Sequence, residues 1–370
     1  MVKISNFLQF EGSNFMRQRL ILSVLTGKSI TIKKIRSNEM EPGLREYEVN
    51  LLRLIDKMTN GTWLEVNETG TEFSFTPGSL IGGPLEHECC KLRGIGYYLE
   101  VVFALAPFCK VALSITLKGV TNNQVDPSVD AFKHGAVSVL KKFIVVDPGI
   151  EMQIKKRGME PEGGGEIYFH CPIVKLKAIQ MKDMGKVKKV RGTAYAVKVS
   201  PVLANRFIET AKGEMIRFIP NVFITSDFLK GQNGGKSPGF GGCLTAETTT
   251  GVILTAEKTT PPPPGQRQTP EDMGKTTAWL LLEEIARGGL VDSSFQSLAC
   301  LFIAFGQKDV TQLVVGPLSP YTIELLRHLR KFMGLTFKLD PYVEDEDEDQ
   351  GVGSNKVLIT GVGIGYNRFA

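Results

Sequence analysis

Long apolar runs are missing from this sequence. No stretch reaches the roughly 18 uninterrupted apolar residues that a membrane span requires, so no membrane partner is expected. The opening residues, MVKISNFLQFEGSNFMRQRL, carry charge and lack the continuous apolar centre of a signal peptide, which predicts a chain on the cytosolic or nuclear side. Cysteine is sparse and badly spaced for metal. Cys89, Cys90, Cys109, Cys171, Cys243 and Cys300 form no CxxC pair, so they read as reduced structural thiols. Histidine occurs four times, and no Ser/His/Asp or Cys/His spacing emerges. His87 reads as a loop residue between Glu86 and Glu88, His134 as a helix-surface residue and His170 as a strand residue. His328 falls among basic residues. Neither a metal nor a cofactor is predicted. Gly234-Gly-Lys-Ser237 fails as a phosphate-binding loop, because Lys230 stands where a glycine is required and Pro238 blocks the helix that should follow.

What is present is an ordinary globular composition, 42% hydrophobic and 22% charged, with an uneven charge distribution. Residues 344–349 are six consecutive acids, and setting them aside turns a net charge of +5 into +11 for the remainder. Lys155, Lys156 and Arg157 form one basic group, Lys186, Lys188, Lys189 and Arg191 a second, and Arg327, Arg330 and Lys331 a third. A basic body with a separate acidic loop suits a polyanion, since phosphate contacts release counterions; a solvated charged surface accounts for the same pattern.

Periodicity predicts alternating strands and helices. Residues 29–36 alternate as a half-buried strand, and Pro42-Gly43 opens a helix with Leu44, Val49, Leu52, Ile55 and Met58 on one face. Strands at 62–66 and 71–75 follow, then a helix over 94–105, a strand at 111–117, a helix over 131–142 and strands at 150–156 and 166–171. The recurrence predicts an α/β (α+β) fold of repeated βαβαββ units, each sheet covered by helices on one side. A smaller inserted α+β domain is expected over 185–267, with strands at 191–199, 217–225, 244–249 and 252–257, a helix at 201–213 and a closing Pro261-Pro-Pro-Pro-Gly265 connector. This leaves 1–184 and 268–370 as the two parts of the repeat domain. Thr269-Pro-Glu-Asp272 starts a helix that stops at Gly288-Gly289; residues 312–315 form a strand. The last helix is capped by Ser319, has Pro320 in its first turn and ends at Gly334. Ile323, Leu326, Leu329, Phe332 and Met333 read as its core stripe, and Glu324, Arg327, Arg330 and Lys331 as the opposite face. Gly163-Gly-Gly165 permits either a tight hairpin or a close backbone approach.

Several segments together resemble the RNA 3′-terminal phosphate cyclase family. They are Phe10-Glu-Gly12 running into Arg17 and Leu25-Thr-Gly27, Pro42-Gly-Leu-Arg45, Leu117-Lys-Gly-Val-Thr-Asn122, Arg157-Gly with Pro161-Glu-Gly-Gly-Gly-Glu166, Ala246-Glu-Thr-Thr-Thr-Gly251 and Gly288-Gly-Leu-Val-Asp292. The resemblance implies the repeated units plus the inserted domain. Cyclases of this family adenylylate a histidine within Gly-Pro-x-x-x-His-Thr; here the segment is Gly316-Pro-Leu-Ser-Pro-Tyr321-Thr322, and a phenol forms no labile phosphoramidate. The family's nucleotide-contacting Asp-Gln pair falls on Ser297 and Leu298, one arginine on Glu39, its Gln-His on Tyr47-Glu48 and an early glutamine on Asn14.

These departures resemble the cyclase-like, nucleolar branch found in eukaryotes, which Asp126-Pro-Ser-Val-Asp130 and Lys236-Ser-Pro-Gly-Phe240 also fit. That branch implies a non-cyclase acting early in pre-rRNA processing for the small ribosomal subunit. It implies pre-rRNA, a large ribosome-assembly GTPase and the small-subunit processing complex as partners, in the nucleus and nucleolus. Arg17, Arg36 and Arg45 are then expected to hold an anion or RNA, as are Arg327, Arg330 and Lys331. An endoribonuclease is the alternative, with Arg327, His328 and Arg330 as its candidate residues.

Overall fold

The computed structural model describes residues 7–147, 149–229, 231, 234–262, 264–265, 268–342 and 355–366. The acidic run 344–349 lies outside the described residues, as do Lys230, Pro263 and Arg267.

Three four-stranded sheets repeat one plan. In the first unit the sheet runs Leu8–Glu11, Ile30–Lys33, Phe73–Thr76, Trp63–Val66; the first pair is parallel and the rest antiparallel. The second unit repeats this with Gly82–Glu88, Val111–Gly119, Gly165–Cys171 and Glu151–Lys156. The third uses Gln180–Met181, Val310–Val315, Val357–Val362 and Lys338–Pro341. Each unit is βαβαββ, with spatial order first, second, fourth, third. Its parallel pair needs a helical crossover, supplied by Met16–Thr26, Ile95–Leu105 and Gln296–Phe305 respectively. These three crossover helices pack in sequence, the middle one touching both others, and form the centre of a continuous core.

The small module interrupts the third unit between its first strand and its crossover helix. Its sheet runs Val222–Leu229, Val187–Val197, Gly239–Thr248, Ile253–Thr259. Helices Pro201–Ile216 and Pro270–Arg287 pack on each other and on this sheet. The division drawn at 267/268 thus falls ahead of a helix whose packing is with the small module.

Several local expectations are corrected. His87 lies in the strand Gly82–Glu88, is buried, and donates through Nε2 to Asn50 Oδ1 at 2.9 Å. The strand read at 217–225 begins at Val222, because the preceding helix continues to Ile216. The strand read over 29–36 ends at Lys33, where Lys34 and Arg36 turn into positive φ. On the last helix, Pro320–Met333, the buried stripe is Thr322, Leu325, His328, Leu329 and Phe332, while Ile323 is exposed. The stripe is rotated because two polar side chains, Thr322 and His328, find buried partners there. Arg157 is no part of a basic surface: it is buried and bonded on three sides.

Candidate functional site: a closed arginine–tyrosine cleft

The turn into the first helix, Met16–Thr26, begins with Phe15 at positive φ and sets Arg17 into a cleft of about 190 Å³. Arg36, Tyr47, Glu48, Arg93, Tyr97 and Tyr321 share its lining with the turn residues from Ser13 to Met16, Asn14 among them. Arg17 Nη1 lies 2.6 Å from Glu100 Oε2, an ion pair rather than a directed hydrogen bond. The Arg17 guanidinium lies 4.5 Å from the Tyr97 ring centre and 5.7 Å from that of Tyr321. The Tyr321 hydroxyl donates to the other oxygen of Glu100. Burial and the Glu100 carboxylate push the Tyr321 phenol well above its usual value, so it stays protonated near neutral pH.

Arg36 makes a two-pronged contact with Glu48, at 2.8 and 2.7 Å, and donates to the Tyr47 hydroxyl at 3.3 Å. Glu48 also accepts from the Arg45 backbone N–H at 2.8 Å, holding the start of the Glu46–Met58 helix. Arg93 grips Asp126 through Nε at 2.9 Å and through Nη2, and lies 4.4 Å from the Tyr97 ring centre. Three guanidiniums therefore face three carboxylates, Glu100, Glu48 and Asp126, leaving no uncompensated charge. Arg45 lies outside this lining, more exposed, paired with Glu41 at 2.7 Å and Glu39 at 3.1 Å. Glu39, Tyr47 and Glu48, which the sequence resemblance marks as departures from the cyclase pattern, engage Arg45 and Arg36.

Ser297 and Leu298 line a separate gap of about 20 Å³ among the crossover helices, beside Gln18 and Glu100. Gln18 Nε2 donates to the Tyr321 carbonyl at 2.8 Å, and its Oε1 meets His328 Nδ1 at 3.0 Å. Gln18 thus joins the last helix to the first from two positions. His328 is buried, with Arg19 Nε 3.4 Å from its Nε2 and the rings of Phe10 and Phe15 alongside. Burial, with Arg19 nearby, lowers its pKa to about 4. Arg327 and Arg330 lie on the exposed side of the same helix, Arg327 paired with Glu324 at 3.0 Å. Lys331 donates to the Gln9 carbonyl at 2.6 Å and covers the Phe10 ring. The structure therefore gathers Arg17, Arg36 and Tyr321 in the cleft and separates His328 from Arg327 and Arg330.

The glycine loop is a junction between modules. Gly163 and Gly164 take positive φ, and the Gly163 carbonyl accepts from Lys236 N at 2.8 Å. A Cβ on Gly235 would stand 2.6 Å from the carbonyl oxygens of Arg157 and Gly163, so this approach requires glycine. Ser237 Oγ accepts from Glu162 N at 3.0 Å and a strand follows it, so Gly234–Ser237 forms a backbone seam and no phosphate loop. Arg157 closes the seam, bonded to Asp130 at 2.6 and 2.7 Å and to Asp227 at 2.8 Å. Sequence reasoning missed Arg93, Tyr97 and Glu100. Arg93 follows no motif, and Tyr97 and Glu100 sit in a helix whose periodicity announces only core.

The fold and cleft together define an α/β protein of three βαβαββ units and a small inserted module, with a polar cleft that is internally neutralised. The chain belongs to the RNA 3′-terminal phosphate cyclase family, whose profile matches residues 8–339. It is 54% identical to a probable RNA 3′-terminal phosphate cyclase-like protein of Drosophila melanogaster, over 98% of this chain and 96% of that one. Identity to the RNA 3′-terminal phosphate cyclase-like protein of Homo sapiens is 51%, over 98% and 97%. A Schizosaccharomyces pombe relative, named rRNA processing protein rcl1, is 39% identical over 88% and 89%. Among the described residues, no helix is long and apolar enough to cross a membrane, and no cluster of His, Cys, Asp and Glu has metal-binding geometry.

Proposed function

We propose that this protein is a non-cyclase rRNA-processing factor that binds precursor rRNA without adenylylating it. The observation that carries the proposal is the neutralised cleft. Arg17, Arg36 and Arg93 each face a carboxylate, and the residue in the nucleophile's place spends its proton on Glu100. Displacing a partly buried ion pair to admit a phosphate leaves the displaced carboxylate desolvated and unpaired, a cost of several kcal/mol that the incoming anion must offset. The relative named for rRNA processing supports the direction of the reading. The proposal extends, as the resemblance implies, to early steps of small-subunit maturation in the nucleolus alongside a large assembly GTPase; co-purification of that GTPase with the tagged chain tests this part.

RNA contact is assigned to the exposed side of the last helix, where Arg327 and Arg330 project. Incubation of a precursor-rRNA fragment with the wild type and with Arg327→Ala/Arg330→Ala tests it. A bound, intact fragment whose affinity falls in the variant supports a processing factor. Position-specific cuts that disappear in the variant, with affinity retained, replace that reading with an endoribonuclease.

A further inference from the structure

We propose that the open face of the small-module sheet is a stacking platform for single-stranded RNA, with Phe223 as the base-stacking residue and Arg191 as its phosphate contact. The inference rests on the reading of this chain as an rRNA-processing factor and adds a second surface, remote in sequence from the last helix.

Strand pairing places the residues. Arg191 is the register partner of Phe223, and Thr193 that of Thr225, so these four side chains share one face. Thr245, opposite Arg191 on the next strand, is buried at the inner edge of this face and donates to the Arg191 carbonyl at 3.3 Å. The alternate row, Val190, Val222, Ala246 and Leu254, is buried on the other face, where the two helices pack. The platform face is uncovered at this end: Phe223 is 61% exposed. An aromatic ring left in water near the exposed Thr225 and the half-buried Thr193, beside an arginine, has no core to serve.

The charge balance selects the partner. Acids on this face are already engaged, Glu247 by Lys189 at 2.8 Å and Asp227 by Arg157 at 2.8 Å. Arg191 is held by one nitrogen only, Nη1 donating to the Val190 carbonyl at 2.8 Å and to Asn221 Oδ1 at 3.0 Å. Its other guanidinium nitrogens take no partner among the described residues, so the side chain is oriented yet unneutralised. Lys186 and Lys188 are exposed at the start of the same strand. A π-face bordered by cations matches unpaired bases on a phosphate backbone, which every nucleotide presents and a duplex hides. An apolar protein segment finds one aromatic and several threonines here, a poor hydrophobic match.

The test is fluorescence anisotropy with the full chain, a labelled single-stranded RNA of roughly 12 nucleotides and the same RNA annealed to its complement. Phe223→Ala and Phe223→Leu are each expected to weaken single-strand binding about tenfold or more, while Phe223→Trp retains it. Arg191→Gln is expected to weaken binding and lower the salt slope by about 0.7. Unchanged melting of the variants keeps folding out of the result. If Phe223→Ala binds as the wild type does, the platform is overturned and the processing reading stands; a protein lost from pull-downs of that variant would then mark a protein-docking face. If Phe223→Leu alone matches wild type, the contact is apolar packing and the stacking role is overturned. If the wild type binds neither RNA, both readings fall.

Discussion

At the scale of single residues, the cleft meets each of its three arginines with a carboxylate. Glu48 is buried and has its charge met by Arg36, so Arg36→Ala strands a carboxylate. Denaturant unfolding of Arg36→Ala should show a loss of about 3–5 kcal/mol. On the proposed reading, in which Tyr321 stands in the nucleophile's place and Ser297, Leu298 and Glu39 replace nucleotide and phosphate contacts, neither wild type nor Tyr321→His should retain label from α-labelled ATP. Two titrations pull in opposite directions. His328 has its pKa lowered to about 4 against an ordinary 6.5, so its stabilising contribution is complete above 6.5 and is lost as pH falls towards 4. Its ring resonances should therefore stay flat between pH 8 and 5 by NMR. Burial raises Glu257 to about 7, despite hydrogen bonds from Ser128 N at 2.7 Å and from Ser128 Oγ. Its folded form holds the proton more tightly than the unfolded chain does. That contribution is complete below about pH 4.5 and lost as pH rises through 7, so Glu257→Gln should flatten the stability profile between those values.

Among the elements, helices with one apolar face were legible, as was the buried Ile95–Leu105, while the crossover helices Met16–Thr26 and Gln296–Phe305 were not. The last helix carries its own markers, Ser319 accepting from Thr322 N at 3.2 Å and Gly334 at positive φ. Ser319→Ala should cost about 1 kcal/mol, read as a lowered melting temperature. The crossover helix Gln296–Phe305 is apolar nearly throughout, so it has no polar stripe to set its period. The first helix, Met16–Thr26, hides its face differently, because Gln18 and Arg19 are polar yet buried against the last helix. A polar residue reads as exposed unless its distant partner is known. The same reason accounts for His328 and Arg157, whose neighbours in sequence describe a basic surface while their partners lie elsewhere in the chain.

For the whole molecule, the repeat of βαβαββ units was visible in the strand–helix rhythm, and the recognisable motifs outlined the family scaffold. What rhythm does not encode is where the modules touch. Arg157, in the second unit, binds Asp227 in the small module and Asp130 in its own unit. Arg157→Met leaves Asp130 buried without its cation, so unfolding free energy should fall by about 3–5 kcal/mol. Hydrogen exchange should quicken first in Val222–Leu229, the strand that the contact holds; uniform acceleration across all units would show that Arg157 serves the core at large. The cleft shares this dependence on distance, since Arg17, Glu100 and Tyr321 come from three different units.

The interrupted third unit also has a chronology. Gln180 and Met181 pair with Gln312 and Leu313, residues made only after the small module has been synthesised. At typical elongation rates of about 5–20 residues per second, this strand waits roughly 7–26 s for its mate. The first two units, whose sheets draw only on residues up to Cys171, have no such delay. Birth order is thereby written into the topology: the strands of two repeats are all made while the third waits for its last ones. The Arg17–Glu100–Tyr321 cleft cannot close until the helix Pro320–Met333, which carries Tyr321, has been made.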